Sequence, residues 1–293
     1  MIKLIVSDVD GTLLSHAREI SRENCEAVAM AQQRGIRFAI ASGRMYADIR
    51  ILLERYGLSC ECLSMNGAEY YDARGNCLEG CYFSAGKARE VQSVLARMPE
   101  ILAEIYGNDG CYTTQSRWKT FRGMMRRGKT FYPSRGLLRD VLFALNNQHF
   151  RKMRYIRDFD AFLQSGTKIA KFISFGRSEQ EIDKMRGLLD GVPGIAISSS
   201  FRLNLEINAG DASKGNILKR LIAKEGIRED EVMVIGDGLN DLSMFEAFPT
   251  NSVAMGNAIP QLKEIAAHVA PDCDHSGVAK AIRTYALGME VAG

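Results

Sequence analysis

The chain has 293 residues, enough for two domains or one large one. With 46% hydrophobic and 25% charged residues it reads as an ordinary globular protein, and no run approaches the roughly 18 apolar residues of a membrane span. The net charge of +3 hides an uneven spread: twelve Lys or Arg and one acid, Asp140, lie between residues 117 and 157, which leaves the rest negative by eight. The first apolar run meets Asp8 and Asp10 too soon for a secretory signal peptide, so the expected setting is cytoplasmic. Seven cysteines, an odd number, include Cys60 and Cys62 with one residue between them rather than the two of a redox or zinc knuckle. Reduced thiols used as small packing residues are the expectation.

In chain order, a strand is predicted over 2–7. A helix follows in which Ile20, Ala27, Val28 and Ala31 recur at helical spacing, with Gly35 as its stop. A strand over 37–41, a helix over 45–56 closed by Gly57 and a strand over 60–65 continue the alternation, which implies parallel pairing with right-handed crossovers. The middle differs: short antiparallel strands over 69–83, a helix over 87–97, strands over 101–106, 111–114 and 168–175, a helix over 179–189, then a hairpin-like pair at 195–198 and 203–207. Strand–helix alternation returns with a helix over 214–224, a strand over 232–235, a helix over 239–247, a strand over 252–255 and a closing helix over 277–287. The predicted fold class is therefore α/β, a doubly wound, Rossmann-like parallel-sheet core (1–83 and 191–293) with an inserted α+β cap over 84–190.

Carboxylates at the ends of two apolar strands are not explained by core packing. Asp8 and Asp10 follow the first strand, and Gly11 permits a sharp turn that can bring both side chains to one point. Asp237 follows the strand at 232–235. Oxygen ligands of this kind suit Mg²⁺, which would offset repulsion between an anionic nucleophile and an anionic substrate. Asp8 needs no base to act as a nucleophile, and Asp10 is the natural general acid and base. Gly11 and Thr12 can offer backbone N–H groups and a hydroxyl to a phosphoryl group. Ser42-Gly43-Arg44 follows the second strand, where an open parallel sheet binds ligands, although Ser42 could equally be an N-cap. Lys214 opens a helix and can clamp a phosphoryl oxygen and the attacking carboxylate. Its removal is expected to lower turnover and to leave stability nearly unchanged.

Asp8-Val9-Asp10-Gly11-Thr12, Ser42-Gly43-Arg44, Lys214-Gly215 and Gly236-Asp237-Gly238-Leu239-Asn240-Asp241 together resemble the haloacid dehalogenase-like hydrolases, and more narrowly the Cof-type phosphatases. Asn66-Gly67-Ala68, Met255-Gly256-Asn257-Ala258 and Gly277-Val278-Ala279 extend the likeness over the whole chain. The resemblance implies a phosphorylated Asp8, metal ligation by Asp8, Asp237 and the Asp10 carbonyl, and a phosphoryl group held by Ser42 and Lys214. It further implies that Asn240 reaches toward the phosphate, that Asp241 anchors Lys214 or the metal's water shell, and that Arg44, Asn66 and Gly67 line the substrate space. The loop Asp272-Cys273-Asp274-His275-Ser276-Gly277 departs from the Asp-Gly that many relatives carry there, and no catalytic task is assigned to it.

The basic segment interleaves aromatics, as in Arg117-Trp118-Lys119-Thr120-Phe121-Arg122 and Arg126-Arg127-Gly128-Lys129-Thr130-Phe131-Tyr132. It can be a solvated face, an attractor of phosphorylated small molecules, or a polyanion-binding surface. It lacks a recognisable nucleic-acid reader motif. A cap that closes over a metal site favours a small sugar or cofactor phosphate, such as pyridoxal phosphate. The expected partner is thus a small phosphorylated metabolite rather than nucleic acid or membrane, bound by a monomer or homodimer. A sugar phosphomutase and a polyanion-binding protein on the same scaffold are the rival readings.

Overall fold

The structure, a computed structural model, describes residues 1–131, 136 and 148–289. Tyr132 and Asp140 of the basic segment lie outside them. The chain opens with β1 (Leu4–Ser7), α1 (Arg22–Gln33), β2 (Arg37–Ala41), α2 (Tyr46–Tyr56), β3 (Glu61–Ser64), β4 (Glu69–Tyr71) and β5 (Cys77–Gly80). Next come α3 (Ala85–Ala96), β6 (Leu102–Gly107), β7 (Gly110–Thr113), α4 (Arg117–Phe131), α5 (Gln148–Lys152), β8 (Arg154–Tyr155) and α6 (Phe159–Gln164). They are followed by β9 (Ile169–Phe175), α7 (Glu179–Leu189), β10 (Ile195–Ser198) and β11 (Asn204–Ala209). The chain then runs through α8 (Lys214–Glu225), β12 (Val232–Gly236), α9 (Leu242–Ala247), β13 (Ser252–Ala254), α10 (Pro260–Ile265), β14 (His268–Val269) and α11 (Gly277–Ala281).

Two compact units result, one of Met1–Cys81 with Gly210–Gly293 and one of Tyr82–Ala209. In the first, eight strands run in the order β14-β13-β12-β1-β2-β3-β4-β5. The six from β14 to β3 are parallel, and β4 and β5 extend that edge antiparallel. This is the doubly wound α/β core expected. Strand β1 lies between β12 and β2, and all four of its residues are buried, as a central parallel strand covered on both faces requires. Its last residue, Ser7, pairs with Ile235 on one side and Ile40 on the other, so the three strands end at the same level.

Helix α1 is stopped from fraying by Ser21, whose hydroxyl accepts from Asn24 N at 3.1 Å. Ser213 does the same for α8, accepting from Asn216 N at 3.1 Å, and Gly226 closes that helix in the left-handed conformation. The sequence reading missed α10 and β14, which are too short for periodicity to reveal. The closing helix changes character at Ile282, where a π-helical turn takes over through Ala286.

In the inserted unit the sheet order is β10-β11-β9-β6-β7-β8, antiparallel except for β7 beside β8. Ile105, Phe172 and Ile207 stand in register on one face and share a core with Val91 of α3 and Met185 of α7. Strands β10 and β11 belong to this sheet. The return to the core therefore falls at Ala209–Gly210 rather than after residue 190, and the insertion begins at Tyr82 rather than 84. A hairpin pattern alone does not say which sheet it joins; here the apolar face of β11, Leu205 and Ile207, decides it. No helix among the described residues is long and apolar enough to cross a membrane.

Ile5 is wholly buried at the centre of the core sheet. Ile5→Ala should cost about 2–5 kcal/mol through lost burial and the cavity left behind. The expected readout is a lower urea midpoint with an unchanged denaturant slope.

Candidate active site

The parallel strands of the core bring their carboxyl ends together, and there the turns diverge in composition. The turn after β1 carries Asp8, Asp10, Gly11 and Thr12, and the turn after β12 carries Asp237, Asn240 and Asp241. Asp8 N donates to Ile235 O at 2.9 Å, which continues the ladder one residue beyond the strands and sets Asp8 beside the β12 turn. One carboxylate oxygen each from Asp8, Asp237 and Asp241 lies within 4.8 Å of the others.

Lys214 ties this cluster. It is the first residue of α8, has no exposed surface, and donates to Asp8 Oδ1 at 2.5 Å and to Asp241 Oδ1 at 2.6 Å. Burial opposes its charge, but Asp241 and Asp8 outweigh that and hold the ammonium above the ordinary lysine range. Asp241 accepts with its other oxygen from the Asp237 and Gly238 N–H groups, each at 3.0 Å. It is the anchor that both holds the lysine and folds the turn. Asp8 Oδ2, by contrast, carries no hydrogen bond among the described residues.

Asp237 is positioned by two neighbours. Thr12 Oγ1 donates to its Oδ1 at 2.8 Å, and Asn257 Nδ2 reaches its Oδ2 at 3.3 Å while donating to Gly11 O at 2.8 Å. The Thr12 hydroxyl, expected to serve a phosphoryl oxygen, thus spends its one proton on Asp237. In the sequence Asn257 stands out only within Met255-Gly256-Asn257-Ala258; its contact with Asp237 spans 20 residues and has no signature in local spacing. Gly11 has φ of +82°, and a Cβ there would lie 2.4 Å from Asp237 Oδ2. Glycine is required twice over at that turn.

Asp10 sits differently. Its side chain is 54% exposed and is gripped by the Arg44 fork, with Nε 2.8 Å from Oδ2 and Nη2 bonded to Oδ1. Ser42 is buried and is not the N-cap of α2, a place taken by Met45. Its hydroxyl accepts from Arg44 N at 3.2 Å, which shapes the Ser42-Gly43-Arg44 loop. That loop is zipped to the next strand end, since Asn66 N donates to Ser42 O at 3.0 Å and Met65 N to Arg44 O at 3.0 Å. Gly67, at φ +88°, lies against the turn that launches α8: a Cβ would meet Ser213 O at 2.4 Å. Its place in the structure is a close approach that seats Lys214. Asn240 stands in the short 3-10 turn Leu239–Asp241.

The donor set fits Mg²⁺. The clustered atoms are hard carboxylate oxygens, and one lysine faces three carboxylates. Burial, then the Asp241 charge, push Asp237 up to about 6, and burial with the Asp241 charge raises Asp8 well above the usual carboxylate range. A further positive charge is what such a cluster lacks.

The first part of the basic segment forms α4, and Trp118, Lys119, Arg122 and Arg126 line a cavity of about 490 Å³ with Phe175 and Phe201, wholly within the Tyr82–Ala209 unit.

Lys214→Ala would leave two buried carboxylates without their cation. The structure therefore reverses the expectation of unchanged stability. A loss of roughly 3–5 kcal/mol is expected in denaturant titrations without Mg²⁺, and an unshifted midpoint would mean the pair is solvated in the variant. Gly11→Ala should weaken Mg²⁺ binding by about 10–100-fold in calorimetric titration, because it displaces Asp237.

Known proteins resemble this chain over nearly its whole length. The family model for haloacid dehalogenase-like hydrolases matches residues 5–282. Phosphatase YwpJ of Bacillus subtilis is 29% identical over 95% of this chain and 98% of its own. The 5-amino-6-(5-phospho-D-ribitylamino)uracil phosphatase YwtE of the same organism is 28% identical over 95% and 96%. A solved haloacid dehalogenase-like hydrolase from B. subtilis superposes with a TM-score of 0.82 at 27% identity, covering 97% of this chain and 100% of that one. The carboxylate cluster, the sheet that builds it and the match over residues 5–282 make this chain a member of the haloacid dehalogenase-like hydrolase family.

Proposed function

We propose that the protein hydrolyses small phosphate monoesters in a Mg²⁺-dependent reaction with Asp8 as the nucleophile. The observation that carries this is Asp8 itself: buried at the end of β1, fixed through Oδ1 by Lys214, with no hydrogen bond to Oδ2 among the described residues. A carboxylate oriented through one oxygen is ready to attack with the other. Attack forms a bond from Asp8 to phosphorus and breaks the bond to the leaving alkoxide, which takes a proton from Asp10. Asp10 then removes a proton from water, the water oxygen attacks phosphorus, and Asp8 is released with inorganic phosphate.

Arg44 occupies both Asp10 oxygens in this structure. A substrate phosphate competes for the same guanidinium, so binding would free Asp10 for proton transfer. Lys214 meets negative charge at the transferring group. Gly11, Thr12, Ser42, Gly43, Arg44, Asn66, Gly67 and Asn240 border the space at the strand ends where the phosphate and its ester group would lie. Asp8, Asp237 and the Asp10 carbonyl would hold Mg²⁺, which would supply positive charge against the repulsion between the anionic nucleophile and the anionic ester. Asp241 acts through Lys214 and the turn rather than on substrate.

The substrate class is a phosphorylated polyol, sugar or cofactor. Two relatives are phosphatases of a ribityl phosphate monoester, which supports a polyol phosphate over a phosphoprotein or nucleic acid. Asp8→Asn should abolish phosphate release and acid-stable labelling of the protein. Asp10→Asn should slow alkyl phosphates by roughly 10²–10⁴-fold, and nitrophenyl phosphate less, since that leaving group departs without much proton help. Equal losses on both would remove the general-acid role. Isomerisation of a sugar 1-phosphate to its 6-phosphate without phosphate release would replace hydrolase by mutase.

A further inference from the structure

His16, Cys273 and Asp274 form a second cluster of ligand-bearing side chains in the core unit, in which one atom from each lies within 4.8 Å of the others. His16 Nδ1 is 2.7 Å from Asp274 Oδ2 and 3.5 Å from Cys273 Sγ, and His16 N donates to Asp274 Oδ1 at 2.9 Å. Thiol and carboxylate therefore meet the same ring nitrogen. In a nucleophile–base–carboxylate relay they would take opposite nitrogens, so this is not proton-transfer machinery. Three different donors gathered at one point describe instead the corner atoms of a coordination sphere.

The distances suit a small tetrahedral ion. With Zn–N of roughly 2.0–2.1 Å and Zn–S of roughly 2.3 Å, nitrogen and sulfur stand about 3.5 Å apart, which is the separation observed. The carboxylate must move outward by about 0.6 Å to reach the corresponding nitrogen–oxygen spacing. The Asp274 and His16 side chains are 47% and 70% exposed, so no packing opposes that movement, while Cys273 is buried. Imidazole and thiolate donors disfavour Mg²⁺ and select borderline, thiophilic ions.

We propose that His16, Cys273 and Asp274 bind a transition-metal ion of the Zn²⁺ class through Nδ1, Sγ and Oδ2, at a site separate from the oxygen cluster at Asp8 and Asp237. Water completes the coordination, and the thiol proton leaves to solvent as the metal–sulfur bond forms. Two of its ligands, Cys273 and Asp274, lie in the loop before α11, and the third, His16, follows the β1 turn. It also has a route to the carboxylates: Cys273 N donates to Asn257 Oδ1 at 3.0 Å, and the Asn257 amide holds Gly11 O and Asp237 Oδ2. An ion that shifts the Cys273 backbone shifts the side chain that positions Asp237.

The test strips the full-length protein with chelator, saturates it with Mg²⁺ and titrates it with Co²⁺ as a spectroscopic probe. One equivalent should produce a thiolate-to-cobalt charge-transfer band together with tetrahedral d–d bands. The bands should vanish in Cys273→Ser and in His16→Ala, the latter at an exposed ring, both variants keeping the parental circular dichroism. They should persist in Cys111→Ser, which removes the thiol of the Glu104, Cys111 and His149 cluster in the inserted unit. Absence of a thiolate band, or its loss in Cys111→Ser but not in Cys273→Ser, overturns the proposal. With Mg²⁺ saturating, one equivalent of Zn²⁺ should also change turnover by about fivefold or more in the parent and leave Cys273→Ser unaffected. The same response in both would place the ion at the catalytic carboxylates and overturn the coupling.

Discussion

Lys214, buried between Asp8 and Asp241, is the contact on which the rest of the core's chemistry depends. Its three members come from the end of β1, the start of α8 and the turn after β12, so the ion group exists only when the whole core has closed. A charge taken out of water is tolerated only where partners satisfy it. That demand explains much of the surrounding architecture. Asp241 spends one oxygen on the lysine and the other on two backbone N–H groups, so the lysine's counter-ion is also the residue that shapes the Asp237 turn. Gly67 lets the strand-end loop approach Ser213 closely enough to seat the helix that carries Lys214.

Sheet direction supplies the second constraint. Because β12, β1, β2 and β3 are parallel, their carboxyl ends share one edge, and backbone groups left unpaired there are free to shape turns rather than ladders. The register of Ser7 with Ile235 places Asp8 opposite the Gly236–Asp237 turn. A one-residue slip would turn the alternate face of β1 toward that turn and separate the carboxylates. The buried apolar strands are thus the fixed mounting of the site, and the polar turns are its working parts.

Much of this was legible in the sequence because the relevant signals are local. Asp8, Asp10 and Gly11 adjoin an apolar run, Asp237 adjoins another, and Lys214 follows an N-capping serine; each is visible within a few residues. The alternation of strands and helices disclosed the doubly wound core in the same way. What escaped was long-range. The pairing of β11 with β9 decides that the hairpin belongs to the inserted sheet, yet those strands are separated by α7 and β10. The bond from Thr12 to Asp237 spans 225 residues, and composition cannot say that the hydroxyl is directed to a carboxylate and not to a ligand. The burial of Lys214 was hidden for the same reason, since a lysine at a helix start is ordinarily exposed.

Asp8 and Asp10 are two residues apart and have opposite environments. Asp8 is buried, held through one oxygen and crowded by other carboxylates. Asp10 is half-exposed and held by a guanidinium that can also bind phosphate. A nucleophile must keep one orientation through bond formation, and rigidity serves it. A group that gives and then takes a proton must reach the leaving oxygen in one half-reaction and water in the next, and exposure serves that. A single residue, Val9, stands between the two environments. On the proposed roles, placing the acid–base group on the same turn as the nucleophile also gives both a common frame of reference, because any shift of β1 moves them together. The proposed division of labour therefore follows from burial and hydrogen bonding at positions two residues apart, with identical carboxylate chemistry at each.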